Sequence, residues 1–409
     1  MKLKTFFLSA ILFPGVFACT TIKNKELVKE NFKFAQTQLK YAITCTDTVL
    51  NSPQNKSRKL INPRSIEKNG YLRVVGSHDW CSGFFPGSLW QVYAYTHDGY
   101  WKNQADKRTW PIEEIKMYKG THDLGFILYS SFGKGYELTG NKDYKEVLLQ
   151  AAKTLSTRFS PKVGAIRSWD FNRDKWQYPV IIDNMLNLEL LFRATQESGD
   201  STYYNIAVSH ANVTQKNHFR NDHSSYHVIN YDTITGKVLT RETFQGHNDA
   251  SSWARGQAWG LYGFTMCYRF TKNPGYLLQA ENIAHFLFTN PNMPSDLIPY
   301  WDLNDPAIPN SPRDVSAACV IASGLYELST YVSSDKSLEY RTYADKIIRN
   351  LSKHYRAKEG TTKGFLLLHS TGNHPKNDEI DVPISYADYF YLEALLRKDK
   401  IEKTGKALY

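Results

Sequence analysis

Residues 123–158 read DLGFILYSSFGKGYELTGNKDYKEVLLQAAKTLSTR, and how this stretch is read decides the fold. Two apolar-periodic runs, 123–137 and 144–158, recur at helical spacing on either side of the polar turn TGNKD, 139–143. Two helices joined by so short a turn must lie antiparallel as a hairpin.

The same pattern recurs along the chain. Helical periodicity marks 27–44, 86–96, 123–137, 144–158, 184–198, 202–218, 252–271, 275–289, 314–332, 337–355 and 384–397, with SGDST at 198–202 as a second short turn. Hairpin after hairpin in one chain predicts an all-α fold, a closed ring or solenoid of paired helices, rather than two separate domains. One folded domain is expected over 27–400. Between the helices lie loops rich in aromatic and polar residues: SHDWCSGFFPG, RSWDFNRDKWQYPVIID, SSYHVINYDTITGKVLTRETFQGHND and HSTGNHPKNDEIDVP. The third carries a β-hairpin signal around Thr235-Gly236. In a helical ring such loops gather at one end and line a pocket.

The composition, 42% hydrophobic and 14% aromatic over 409 residues, is enough to bury a large core and argues against disorder. The formal charge of +10 favours anionic partners. Nucleic acid is disfavoured, since there is no dense Lys/Arg helix, no zinc-finger spacing and no RNP-like strand. The opening MKLKTFFLSAILFPGVFAC reads as a bacterial secretion signal over 1–18. Cys19 after VFA resembles a lipobox cysteine that is acylated, and 19–26 would then be a polar tether. Ordinary cleavage nearby is the plainer reading. The expected location is the periplasm or outer membrane of a Gram-negative bacterium, with membrane contact only through that anchor. An acidic polysaccharide suits this compartment. Cys45, Cys81, Cys267 and Cys319 form no metal-binding pattern, so no metal is expected. Cys267 and Cys319 sit in apolar helical patterns as buried thiols, and disulfides cannot be assigned.

Two aspartates stand at helix mouths: Asp123 in GTHDLGF and Asp183 in YPVIIDNMLN. Either could simply cap its helix. In a ring of hairpins they can also face each other, and then their environments can separate their pKa values. Asp183, among Val180, Ile181, Ile182 and Met185, suits the proton-holding role. Asp123, beside His122, suits the ionised one. In SSWARGQAWGLYGF, Arg255 and Trp259 share a helix face behind Trp253. A guanidinium beside an indole suits a sugar acid, although a buried structural arginine has the same signature. Thr243 and Gln245 alternate onto one face of a predicted strand. Trp80, in a loop before a helix, could be a sugar platform. His227, flanked by aromatics, reads equally as structural.

Taken in order, DWCSGFFPGSLW, THDLGF, IIDNMLNLELL, SSYHV, TFQGHNDASSWARGQAWGLYGF, PRDVSAACVIASGLYEL and DVPISYADYFYLEALLR resemble the unsaturated glucuronyl hydrolases of glycoside hydrolase family 88, across roughly residues 30–397. The resemblance implies an (α/α)6 barrel with active-site loops at one end and no cofactor. It implies hydration of the C4=C5 double bond that polysaccharide lyases leave in a terminal uronic acid, on oligosaccharides of glycosaminoglycan type. It places Asp183 as acid/base and Asp123 as the second essential aspartate. Trp80, His227, Gln245, Arg255 and Trp259 match substrate-contacting positions, and Thr243 and Ser370 are added from strand alternation and loop position. His369, His374 and Lys376, in the loop where family members differ over sulfated substrates, could meet a sulfate or belong to a solvated basic loop. Two other readings compete. Unsaturated rhamnogalacturonyl hydrolases typically carry RGNGW where this chain has RGQAW. A non-catalytic, surface-anchored glycan binder would gain nothing from two carboxylates in its pocket.

Overall fold

The computed structural model describes residues 15–55 and 58–406, without the side chains of 15–25 and Gln54. Most of the segment read as a secretion signal, and the side chain of Cys19, lie outside the described residues. Helix α1, Gly15–Leu50, runs through the segment read as a polar tether. None of the helices searched among the described residues is long and apolar enough to cross a membrane.

After α1 come a two-stranded hairpin, β1 (Asn62–Ile66) and β2 (Leu72–Val75), then α2 (Phe84–Thr96) and α3 (Gly99–Thr109). A π-helical segment, Gly125–Gly133, continues into α4 (Lys134–Thr139), and α5 is Lys142–Ser156. Three short strands, β3 (Phe159–Ser160), β4 (Ala165–Ile166) and β5 (Pro179–Ile181), precede α6 (Asn184–Ser198) and α7 (Ser201–Asn217). Strands β6 (Val228–Tyr231) and β7 (Val238–Glu242) lead into α8 (Ala254–Thr271), α9 (Pro274–Thr289), α10 (Val315–Leu328), α11 (Ser334–Asn350) and α12 (Ser385–Thr404). The expected β-hairpin is β6–β7, antiparallel with β5 as a third strand.

The helices form two concentric layers. α2, the π-segment with α4, α6, α8, α10 and α12 pack each on the next, and α12 returns to α2, closing a ring. These inner helices are buried on nearly every face, and every residue of α10 is buried. The other six are outer, and α5 is the clearest amphipathic one. α5 buries Tyr144, Val147, Leu148, Ala151, Ala152 and Leu155, a stripe at helical spacing. The fold is thus the α/α barrel.

Four of the hairpins turn in the same way. His97, Gly140, Gly199 and Lys272 end their helices in the left-handed conformation. The next residues, Asp98, Asn141, Asp200 and Asn273, accept the amide of the second residue of the following helix at 2.8–2.9 Å. Helix α3 falls outside the segments expected from periodicity. It buries little apolar surface, mainly Trp101 and Ala105 four residues apart, and is started by the Asp98 cap. Cys45, Cys81, Cys267 and Cys319 are all free thiols.

Inside the ring, ionisable side chains alternate in sign. Lys134 lies 3.8 Å from Glu393, Glu393 lies 3.7 Å from Arg397, and Arg397 lies 3.0 Å from Glu327. Glu327 lies 2.9 Å from Arg269, and Arg269 lies 2.8 Å from Glu189, whose charge also acts on Lys134. Five inner elements are joined by this chain of ion pairs. A cavity of about 600 Å³ opens beyond it, lined in part by Gln91, Lys134, Arg193 and Glu393. This is the far end of the barrel from Asp183, because Arg193 stands ten residues further along α6, or about 15 Å.

Glu327→Ala removes the carboxylate that Arg269 and Arg397 share. The expected loss is about 3–5 kcal/mol in urea denaturation, the range for breaking a buried pair on one side. A loss below about 1 kcal/mol would show that the charges do not hold the ring.

Candidate active site

The loops at the other end of the ring are organised by the β5–β6–β7 sheet. Ile181 pairs with Val228, and one step further the Ile182 amide donates to the His227 carbonyl at 3.1 Å. This register sets His227 beside Asp183, which follows β5 and opens α6. The Asp183 side chain makes no capping hydrogen bond. The helix leaves its carboxyl for other work.

Asp183 and Asp123 are neighbours with side chains 13% and 16% exposed, so both reach the solvent side of the ring. Burial pushes the Asp183 carboxyl up to about 7; Arg255 pulls it down and the Asp123 charge pushes it up again. Its Oδ2 is shut from solvent without a hydrogen-bond partner. That is the setting of a carboxyl that keeps its proton near neutrality. Asp123 accepts from the Thr121 hydroxyl at 3.1 Å, and its own carbonyl receives the Ile127 amide at 2.9 Å.

Two histidines flank the acids, and their partners fix their protons. His227 Nδ1 accepts the Phe244 and Gln245 amides, both at 3.1 Å, so Nε2 carries the hydrogen and points at Asp183 Oδ2, 3.7 Å away. Burial, with the charge of Arg255, holds this ring well below its ordinary pKa, and it stays neutral. His122 Nδ1 donates to the Ser168 carbonyl at 2.8 Å, and burial lowers its pKa too. Its Nε2 stands 3.2 Å from Asp123 Oδ1, and the charge of that carboxylate works against the lowering.

The aromatic residues close the floor. Trp259 is fully buried, packed on Phe126 and Phe390 with centroids 5.1 and 5.5 Å apart. It therefore offers no open face for stacking. Its indole N–H is directed at the Asp183 carboxyl and favours the ionised form. Trp80 is half-buried against Phe126 and Tyr386, with the Arg64 guanidinium 5.9 Å from its ring centre.

Arg255 shows the buried, protein-paired arrangement that the sequence left open beside a grip on a sugar carboxylate. It is buried, paired with Asp314, and donates to the carbonyls of Thr371 at 2.7 Å and Gly372 at 2.5 Å. Its fork fastens the 369–382 loop over the site. Gln245 Nε2 joins it, donating to the Gly372 carbonyl at 3.2 Å. Thr243 also departs from expectation: β7 ends at Glu242, and Thr243 lies in a turn where its hydroxyl accepts the Gly246 amide. Ser370 is fully buried, with a backbone pairing to Val382 and no partner for its hydroxyl. In the same loop His369 pairs with Asp381, His374 stacks on Trp301 at 4.2 Å, and the Lys376 ammonium lies 5.3 Å from the Phe244 ring centre.

The structure thus gathers Asp123, Asp183, His227, Arg255, Trp259, Trp80 and Gln245, with Thr243 in the turn before Gln245 and Ser370 buried in the loop that Arg255 holds. It adds groups the sequence reading passed over. Trp169 meets His227 edge-on at 5.6 Å, opposite Trp253, already singled out beside Arg255, which packs on His227 at 4.6 Å. Tyr386 lies between Trp80 and Arg255. Asp314, which fixes Arg255, had a visible signal: it too stands directly before an apolar helical run.

The sequence model of Glycosyl Hydrolase Family 88 matches residues 59–377. An unsaturated glucuronyl hydrolase of Formosa agariphila is 50% identical over 361 residues, covering 86% of this chain and 90% of the relative. An unsaturated chondroitin disaccharide hydrolase of Streptococcus pneumoniae is 34% identical, covering 79% and 83%. Among solved structures, an unsaturated glucuronyl hydrolase specific for heparin superposes with a TM-score of 0.86 at 47% identity, covering 92% of this chain and 98% of that one. The Streptococcus agalactiae enzyme superposes with a TM-score of 0.81 at 30% identity, covering 97% of each. With a family match over most of its length and a helical ring that carries two adjacent acids at one end, this chain belongs to Glycosyl Hydrolase Family 88, as an unsaturated glucuronyl hydrolase.

Proposed function

We propose that this enzyme hydrates the C4=C5 double bond of the unsaturated uronic acid at the non-reducing end of glycosaminoglycan-type oligosaccharides, with Asp183 as the proton donor. The observation that carries the assignment is the state of Asp183: uncapped, largely dry and beside a second carboxylate, with its pKa near neutrality. The substrate's double bond is a vinyl ether, so a proton delivered to C4 leaves oxocarbenium character at C5 and the ring oxygen. Asp183, now a carboxylate, takes a proton from the water that attacks C5. The resulting hemiketal opens to a ketone, and the hemiacetal left at C1 falls apart to release the neighbouring sugar. Asp123 stabilises or positions the reacting ring. The His227 Nε2–H, aimed at Asp183 from 3.7 Å, is a fixed donor on the same side.

The relatives named above act on glucuronyl and chondroitin-derived substrates, which favours the glycosaminoglycan reading over pectin fragments. A binder without activity would have no use for a carboxyl held protonated near pH 7. A panel of unsaturated disaccharides from heparin, chondroitin and hyaluronan, with and without sulfate, identifies the preferred source.

The enzyme is expected to abolish the ultraviolet absorbance of such disaccharides. Asp183→Asn is expected to lower kcat by about 100- to 10,000-fold while substrate still binds, the range for losing a general acid–base group. Full activity in that variant would remove Asp183 from the mechanism.

The wild-type pH profile follows from the sign of the shift. A donor must be protonated, so kcat/KM holds on the acid side and declines as pH rises through about 7. A profile flat to pH 9 would contradict the assignment. For location, we infer acylation at Cys19. Cys19→Ser is expected to move the protein from the membrane to the soluble fraction on cell fractionation, and an unchanged membrane fraction would exclude the anchor.

A further inference from the structure

Between the two acids lies one cross-helix contact that their chemistry alone does not call for. Asn187 stands one turn beyond Asp183 on α6, fully buried, and its Oδ1 accepts the Phe126 amide at 2.8 Å. Phe126 is three residues beyond Asp123, at the start of the π-helical segment, where the first amides have no partner in their own helix. The side chain of one acid's helix therefore caps the helix of the other.

The backbones are as close as this cap requires. A Cβ added at Gly125 would lie 2.5 Å from Asn187 Cα and 2.9 Å from its carbonyl oxygen, so only glycine permits the approach. The Asn187 Nδ2 has no partner, which means that the residue serves through its oxygen alone. Behind Asp183, the Asn184 side-chain Nδ2 donates to the Ile166 carbonyl at 3.0 Å, so α6 is fixed at its mouth. Asp123 rides on the turn whose amide Asn187 holds.

We propose that Asn187 is a positioning residue whose cap on Phe126 sets the spacing between Asp123 and Asp183. The proposal rests on the reading of these two as the working acids. If Asn187 only filled space, an apolar residue of the same volume would replace it without effect. If it sets the spacing, losing the acceptor lets the two helix mouths separate, and reacting groups displaced by about 1 Å forfeit about 100-fold in rate.

The charged and titratable groups facing Asp183 come from separate elements. Asp123, backed by His122, belongs to the turn held by Asn187, whereas Arg255 sits on α8 and His227 at the start of β6. A change at position 187 thus moves Asp123 and leaves Arg255 and His227 in place. Weaker repulsion from Asp123 and entry of water both lower the Asp183 pKa. The basic limb of the kcat/KM profile should therefore move to lower pH.

The test compares the wild type with Asn187→Leu, Asn187→Asp and Asp183→Asn on a lyase-generated unsaturated disaccharide. Asn187→Leu is expected to lower kcat about 100-fold, with KM changed far less and the basic limb shifted to lower pH. Asn187→Asp, assayed at pH 5 where a buried acid keeps its proton, retains a carbonyl acceptor and puts a hydroxyl in place of the unpaired NH2. It should recover kcat to within about tenfold of wild type. If the leucine variant does not fold, Asn187→Ala removes the same acceptor without bulk and is measured in its place. An apolar variant with wild-type kcat and an unmoved basic limb overturns the proposal, as does an aspartate variant no better than leucine. Activity in Asp183→Asn would instead remove the reading of the acids, while an inactive Asp183→Asn beside an unaffected Asn187→Leu removes only the positioning role.

Discussion

The inner helices of this barrel are held to one another by buried charge as well as by apolar packing. Lys134, Glu393, Arg397, Glu327, Arg269 and Glu189 alternate in sign, and each takes its neighbours from other turns or other helices. Apolar faces tolerate sliding and rotation, because carbon meets carbon in many registers. An ion pair drawn out of water does not, since a displaced partner leaves a bare charge in a medium that penalises it. The chain of pairs therefore fixes which face of each inner helix looks inward. Everything at the opposite end, including the two acids, inherits its placement from that choice.

Three aspartates stand at inner-helix mouths and show how little residue type alone decides. Asp314 caps α10, accepting the Ser316 and Ala317 amides, and neutralises Arg255. Asp123 is held by Thr121 and stands beside His122. Asp183 caps nothing and is mostly dry, with one oxygen unpartnered. The differences arise from what the rest of the ring places around each carboxyl. A capped, paired aspartate is a structural anion, and an uncapped one in a dry cleft becomes an acid.

Much of this was legible along the chain. Helical hairpins announce themselves through apolar period and short polar turns, both local signals. Helix α3 did not, because it rests on one tryptophan, one alanine and a cap. The two acids could be chosen because each precedes an apolar helix. The duties of Arg255 could not, because its partners at 314, 371 and 372 are remote in sequence, and a guanidinium that grips a loop is composed like one that grips a sugar. Trp259 was similarly ambiguous: the same indole can lie under the acid or beneath the substrate. Thr243 was misplaced by extending strand alternation one residue past the end of β7.

The 369–382 loop is fastened from both sides. Arg255 and Gln245 hold its carbonyls, and Arg64, on the bulged strand β1, bridges Asp79 and Glu379 across 315 residues of sequence. Trp80 beside Arg64 and the loop beneath Gln245 thus come from early and late parts of the same chain. A nascent polypeptide has no working cleft until α12 has been made and docked on α2. Assembly must be nearly all-or-nothing, with the slow closure expected of contacts so distant along the chain. Such a protein is inert while threaded or extended, and becomes an enzyme only where it can fold whole.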